Sequence, residues 1–569
     1  MKLCFRTMDG ALLDAEFEAS DFVYDVSQQL ATTHKANQQV SARLTREGAL
    51  LPPGFRLSEC ALKEDDLIDV IFVAWTPPLE QSRLEVLPRR TIDALCVNET
   101  HLDASGIFTR SSERHEMAVQ LASNIRPSLI VLDIRQCGLS TESLLQIFEL
   151  LPESLQELWA GRNHFDGQVL ECLQQKSLKL RVLDIGYSSC ENMQKLPDLV
   201  TELTEQLMLG DLDDMEASVF EAALAKCPHL RLLDIFNNDS LERSFGVIAQ
   251  CSQLRQLLAK RVEFPIEGLK QILHQCLHLE HLVIENVQDL SVVRSLAKLN
   301  LKVLQVAVVE TGQILPAIVA LKVETLMISL QQADGDADAS LAFMEDVGPL
   351  VESFKSSPAT CLALEAAAVD LEILEAIGTR LCSIGQGWDS ASNSILSSLA
   401  KTPLCCVNLL SLSINYFEQI DPKELAQVAA ACPMLRDLSL NADDDEFQVA
   451  AIDEGVLALG QHCHKLEHLD MYDRIMAQPA QTVMTACEGW PLLRYLCMAG
   501  CTREDWETVE QIHELPVVLA TKCPKIQEVV IYDDEMTQLF DAELGKRCAL
   551  YGRDFLDFET DSEDCSDED

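Results

Sequence analysis

A short apolar frame, φ-x-x-φ-x-φ with φ an apolar residue, returns along most of this chain and limits its fold more than any other feature. It is plain in Leu129-Ile-Val-Leu-Asp-Ile134, Leu180-Arg-Val-Leu-Asp-Ile185, Leu230-Arg-Leu-Leu-Asp-Ile235 and Leu435-Arg-Asp-Leu-Ser-Leu440. Further copies start at Leu155, Leu203, Leu254, Leu279, Leu301 and Val323, so that neighbouring starts from Leu129 to Val323 lie 22 to 27 residues apart. Weaker copies near Ala359 and Leu381 lead to Leu409, and clear ones resume at Leu435, Leu466, Leu493 and Ile526. Between frames, residues such as Met215, Val219, Ala223, Leu224 and Cys227 recur at helical spacing. A strand and a short helix of this size cannot bury their apolar sides alone, so consecutive copies must stack.

That period is the one of leucine-rich repeats, and it predicts an α/β solenoid, a horseshoe of about fifteen repeats over residues 90–550. Residues between the apolar positions alternate onto the concave face of the sheet. Asp133, Asp184, Asp234 and Asp470 share one such position, and Trp159 holds it in the copy between the first two. Phe236 and Tyr472 occupy the next outward position, and Tyr187 lies one place further along. Aspartates for steering and aromatics for anchoring suit a basic protein or peptide on this face. Arg181, Arg231, Arg255, Arg436 and Arg494 share another position, beside the first apolar residue; pairing with the aspartates from there would make the field of the groove milder than the aspartate row alone implies.

Cys227, Cys251, Cys276, Cys432, Cys463 and Cys523 all stand three residues before the first apolar position of their frame. With the runs Cys227-Pro-His-Leu, Cys432-Pro-Met-Leu and Cys523-Pro-Lys-Ile, these copies resemble the cysteine-containing leucine-rich repeats of the F-box family of ubiquitin-ligase subunits. The resemblance covers roughly residues 90–535 and implies substrate recognition, although no F-box fits between residue 76 and Ile92. The cysteines read as reduced core residues. His462-Cys463-His464 lacks the second pair that a zinc site needs, and Cys405-Cys406 reads as buried thiols.

Before the repeats, Met1 to Phe17 reads as two strands about a Met8-Asp9-Gly10 turn, and Ser20-Asp21 can cap a helix carrying Val23, Val26 and Leu30. Strands around Arg43-Leu44-Thr45 and Leu67–Val73 follow. With Thr7, Gly10, Glu16, Glu18, Ser20, Asp21, Val26, Arg43, Leu44, Gly48, Leu51, Gly54, Leu57 and Ser58 in matching places, the segment resembles ubiquitin. The resemblance implies a β-grasp domain over 1–75, followed by a linker over 76–89. It places ubiquitin's apolar recognition patch on Met8, Thr45 and Ile71, with Thr45 in place of the central isoleucine. Where ubiquitin ends in a conjugated glycine pair, this chain continues Phe72-Val-Ala-Trp-Thr-Pro-Pro78, so the domain is built in.

A formal net charge of −47 disfavours nucleic acid and anionic membranes as partners. No stretch has the apolar length of a membrane span, and no signal-peptide core interrupts the first residues, so a cytoplasmic or nuclear location is expected. No phosphate loop, metalloprotease pair, nucleophile elbow or kinase signature occurs, hence no catalytic, cofactor or metal residues are expected. Residues 551–569 form an acidic tail of disordered composition. The expected role is a non-enzymatic adaptor that links a protein on the repeats to the proteasome or a ubiquitin ligase. The alternative is a scaffold or inhibitor of a basic target, resembling ribonuclease-inhibitor-type solenoids, with the first domain accessory.

Overall fold

The computed structural model describes residues 4–7, 12–13, 40–46, 49–50, 67–74, 96–97 and 100–105, then, with short breaks, 114–330, 348–385, 395–440, 451–498 and 509–531, with 540, 544 and 549–551. The chain divides into two units, Met1–Gln81 and Ser82–Asp569. The reading of a helix at 20–30, the turn at 8–10, the linker 76–89 and the tail 551–569 falls almost wholly outside the described residues.

The first unit holds β1 (Cys4–Thr7), β2 (Leu12–Leu13), β3 (Val40–Arg46), β4 (Ala49–Leu50) and β5 (Leu67–Ala74) in one sheet of order β2-β1-β5-β3-β4. β1 and β5 run parallel, while β1/β2, β3/β4 and β3/β5 are antiparallel. Phe5 and Ile68 stand opposite each other in the parallel pair and are both buried, which fixes the core face.

The second unit is a leucine-rich-repeat solenoid. Short parallel strands from His101–Asp103 to Ala549–Tyr551 alternate with helices, and the apolar frame residues fill the space between the two layers. Leu132, Leu158, Leu183, Leu207, Leu233 and Leu257 pair in one continuous register and are all buried. Five residues after four of them, at Cys137, Asn163, Ser188 and Asn238, comes a side chain able to bond the backbone, while Leu212 and Val262 fill the place in the other two. Asn163 Nδ2 donates to Ile134 O at 2.9 Å and Ala160 O at 2.8 Å, and its Oδ1 accepts from Leu139 N at 2.9 Å. Asn238 Nδ2 likewise donates to Leu209 O and Phe236 O, both at 2.9 Å, and Cys137 Sγ donates to Ala104 O. These side chains satisfy backbone groups that the turn leaves inside the stack.

Two expectations are corrected. The sheet is not an open horseshoe, because the order of its nineteen hydrogen-bonded strands is cyclic and Ala549–Tyr551 neighbours Cys96–Val97. Each repeat is a wedge, with strands about 4.8 Å apart inside and helices about 8–10 Å apart outside, and among the described strands the accumulated turn returns the order to its start. The frame copy at Leu203 is out by one: Thr204 fills the core position and donates its hydroxyl to Leu180 O at 2.9 Å, while Leu203 is 47% exposed. The weaker copies near Ala359 and Leu381 are present as the strands Cys361–Glu365 and Leu381–Gly385, and the register slips between them, since Leu362 pairs with Leu381 but Ala363 with Ser383, leaving Cys382 as a bulge.

The recurring cysteines close helices. Cys276, Cys432 and Cys463 are C-cap residues of Ile266–Gln275, Pro422–Ala431 and Asp453–His462. Cys276 Sγ lies 3.5 Å from Cys251 O, and Cys463 Sγ lies 3.5 Å from both Ala429 O and Cys432 O. A small, apolar, weakly donating side chain thus meets carbonyls left over at the end of the preceding helix. Burial pushes the thiols of Cys227, Cys276 and Cys463 up to about 12, and every described cysteine is free.

Candidate functional site

Strand register brings the sequence-predicted aspartates together. Asp133 pairs with Trp159, Trp159 with Asp184, Asp184 with Met208 and Met208 with Asp234, and Asp103 extends the row beyond Asp133. Asp470 stands at the equivalent place between Ser439 and Cys497, far along the ring. Each aspartate has a local task that its sequence position did not disclose. Its Oδ1 accepts the backbone N–H two residues on: Ser105 at 2.9 Å, Arg135 at 3.2 Å, Gly186 at 3.2 Å, Phe236 at 3.0 Å and Tyr472 at 3.2 Å. This Asx turn ends the strand in five repeats.

The next turn is left-handed at one place in six consecutive repeats, with φ of 58° at Gln136, 59° at Arg162, 54° at Tyr187, Asp211 and Asn237, and 61° at Arg261. None is glycine, and holding such a backbone costs about 1–2 kcal/mol per residue. These positions rim the sheet and throw their side chains back along it. Arg162 lies over the Tyr187 ring at 5.1 Å, Tyr187 lies 5.5 Å from Phe236, and Arg261 covers Phe236 at 5.7 Å. Arg135 lies over Trp159 at 4.6 Å while gripping both oxygens of Asp133. Small residues make room: a Cβ on Gly161 would meet Asp184 Oδ1 at 2.7 Å, and one on Gly210 would meet the Tyr187 ring at 3.1 Å. The aromatics thus stand in a preformed stack with arginines.

The arginine row meets glutamates of neighbouring repeats. Arg181 and Arg231 approach Glu205, Arg255 and Lys302 approach Glu280, and Arg436 and Arg494 approach Glu467, at 2.6 to 3.9 Å. The partners sit at the same position of the neighbouring repeat, about 4.8 Å away, whereas the aspartates lie three residues along the strand. The positive row is therefore balanced at the opposite rim.

Asp184 is buried, and burial pushes its carboxyl up to about 7, against Arg135, the Gly186 N–H and Arg162, which pull it down, and Asp133, which adds to the rise. Its folded value lies above the ordinary 3.8, so it holds a proton on folding and its contribution to stability falls as pH rises from about 4 to about 7. Asp184→Asn, which keeps the oxygen that caps Gly186, is expected to raise the urea midpoint clearly at pH 8 and little near pH 4. A difference that stays constant with pH would sink this assignment.

In the first unit, Thr45 pairs with Asp69 and Ile71 with Arg43 across β3 and β5, while Met8 lies outside the described residues. Among the described residues, no group of three or more His, Cys, Asp or Glu is placed to hold a metal, and no helix is long and apolar enough to cross a membrane.

No family model and no curated protein matches the sequence. Among solved structures, the chain is similar to TLR13 in its complex with ssRNA13, at 14% identity over 80% of this chain and 63% of that one, with a TM-score of 0.31. It is also similar to an internalin (InlF) from Listeria monocytogenes, at 13% identity over 79% of this chain and 86% of that one, with a TM-score of 0.23.

Proposed function

We propose that this chain is a non-enzymatic, intracellular adaptor, in which the solenoid holds a protein and the N-terminal unit presents a ubiquitin-like β-grasp to proteasome or ubiquitin-ligase machinery. The observation that carries the first half is the preformed rim of Trp159, Tyr187 and Phe236 beside the aspartate row, since rigid aromatics with charged neighbours make strong protein anchors. The second half is supported by the strand order of the first unit, whose last strand is inserted beside and parallel to the first, and by the ubiquitin-like residues of the sequence. The buried, free cysteines suit a reducing compartment.

The test is affinity capture from cells with the whole chain and with a chain lacking residues 1–75, followed by mass spectrometry. Proteasome or ligase subunits are expected with the whole chain alone, and a second set of proteins with both. Identical captures, dominated by one basic protein, would replace the adaptor with a scaffold or inhibitor.

A further inference from the structure

We infer that Cys361 and Cys382 form a redox modification site, at which a peroxide converts the two thiols into a disulfide between neighbouring strands. The inference is independent of the adaptor reading. Among the described residues, three pairs of cysteines share a sulfur–sulfur hydrogen bond: Cys361 with Cys382, Cys406 with Cys432, and Cys487 with Cys523. The last two pairs are buried in the core between the sheet and the helices. The first lies outside that core. Leu362 and Leu364 enter the core from the strand Cys361–Glu365, so Cys361 and Ala363 point to the opposite face. In the next strand Leu381 and Ile384 both enter the core, and the bulge between them turns Cys382 and Ser383 to that same opposite face. Neighbouring strands lie about 4.8 Å apart, and a bulge, which crowds two residues against one, shortens the diagonal from Cys361 to Cys382 toward the roughly 4.4–6.8 Å between Cα atoms that a disulfide spans.

The contact gives the two sulfurs different roles. Cys382 Sγ accepts from the Cys361 thiol and from the Leu362 N–H, and these donors hold its pKa below the ordinary thiol value against the desolvation that raises it. Cys361, the donor in that bond, is held above the ordinary value by the bond and by burial. As a thiol, Cys382 also donates to Arg380 O at 3.3 Å, which keeps its sulfur in place on the bulge. Cys382 therefore supplies the thiolate, the nucleophile of thiol oxidation, and Cys361 the resolving thiol. The thiolate attacks one oxygen of hydrogen peroxide, the O–O bond breaks, and a sulfenic acid and hydroxide result. Cys361 then displaces the sulfenic hydroxyl: its sulfur bonds to that of Cys382, and its proton leaves with the hydroxyl as water. Two electrons pass from the two sulfurs to the peroxide, which ends as one hydroxide and one water. An oxidant scarcely larger than water suits a cysteine that is 7% exposed.

The test treats the folded full chain with hydrogen peroxide, blocks the remaining thiols with N-ethylmaleimide in denaturant, and reads the digest by mass spectrometry. A peptide linked from Cys361 to Cys382 and released by a thiol reductant is expected, at peroxide doses that leave the pairs Cys406–Cys432 and Cys487–Cys523 at least about tenfold less oxidised. Cys361→Ser should strand Cys382 as a sulfenic acid that dimedone captures, while Cys382→Ser should leave Cys361 reduced. Dimedone added to the wild type during oxidation gives the same reading without a substitution, and should tag Cys382 and not Cys361. Absence of the linked peptide, equal oxidation of all three pairs, or a tag on Cys361 in place of Cys382 overturns the inference.

Discussion

Gly489→Ala is expected to unfold the C-terminal repeats at denaturant concentrations that leave the wild type intact. A Cβ at residue 489 would lie 1.6 Å from Gly460 O, and one at Gly460 would lie 2.5 Å from the Ala486 backbone. The helix Asp453–His462 and the turn Cys487–Gly489 therefore touch backbone to backbone. No rotamer can relieve this contact, because the colliding atom is a main-chain carbonyl. The repeats must separate by more than an ångström, which exceeds ordinary overpacking and places the cost at about 3–5 kcal/mol. In a stack where each repeat leans on its neighbours, the loss appears locally, so hydrogen exchange should show residues 453–530 losing protection first. Gly246→Ala is the control, since a Cβ there meets nothing within 4 Å and the residue lies in the helix Phe245–Gln250. That change should be neutral or stabilise by up to about 1 kcal/mol. If both alanines behave alike, the close contact at Gly489 is not what holds these repeats together.

The frame residues were legible because burial repeats with the period of the chain, so each copy confirmed the others. Thr204 escaped for the same reason in reverse: one hydroxyl bonded to Leu180 O replaces an aliphatic side chain, and the adjacent Leu203 offered a false match. The aspartate row was legible as a row but not as a set of turn caps, since an Asx bond depends on the backbone two residues ahead. The glutamate partners of the arginine row follow from geometry. Neighbouring strands lie closer than residues three apart on one strand, so a charge finds its partner across repeats. Asn163, Asn238 and Cys137 could have been found, because each follows its central leucine by five residues. Closure of the sheet could not, because it is a sum of small wedge angles that no single repeat encodes.

Arg380 should prove the most consequential charged side chain for stability where the register slips. Its guanidinium donates to four carbonyls at the ends of two helices, Gly348–Ser356 and Leu371–Ile377: Ile377 O at 3.1 Å, Ser357 O at 2.8 Å, Ala376 O at 2.9 Å, and Phe354 O. Those carbonyls belong to the orphan acceptors that every helix leaves at its C-terminus, where a cation also meets the negative end of the dipole. Desolvation lowers the arginine's pKa, yet the planar fork is matched by acceptors on several sides. Arg380→Met keeps much of the stem and removes every donor, and is expected to cost about 2–4 kcal/mol, less than the sum of four charged hydrogen bonds because water can reach this half-buried site. Arg380→Lys, a point charge without the fork, should recover no more than about half of that loss. Urea titrations of the three proteins decide the matter, with limited proteolysis showing whether new cleavage begins between residues 348 and 385. A methionine variant within about 0.5 kcal/mol of the wild type would mean that water caps these helices as well as the arginine does.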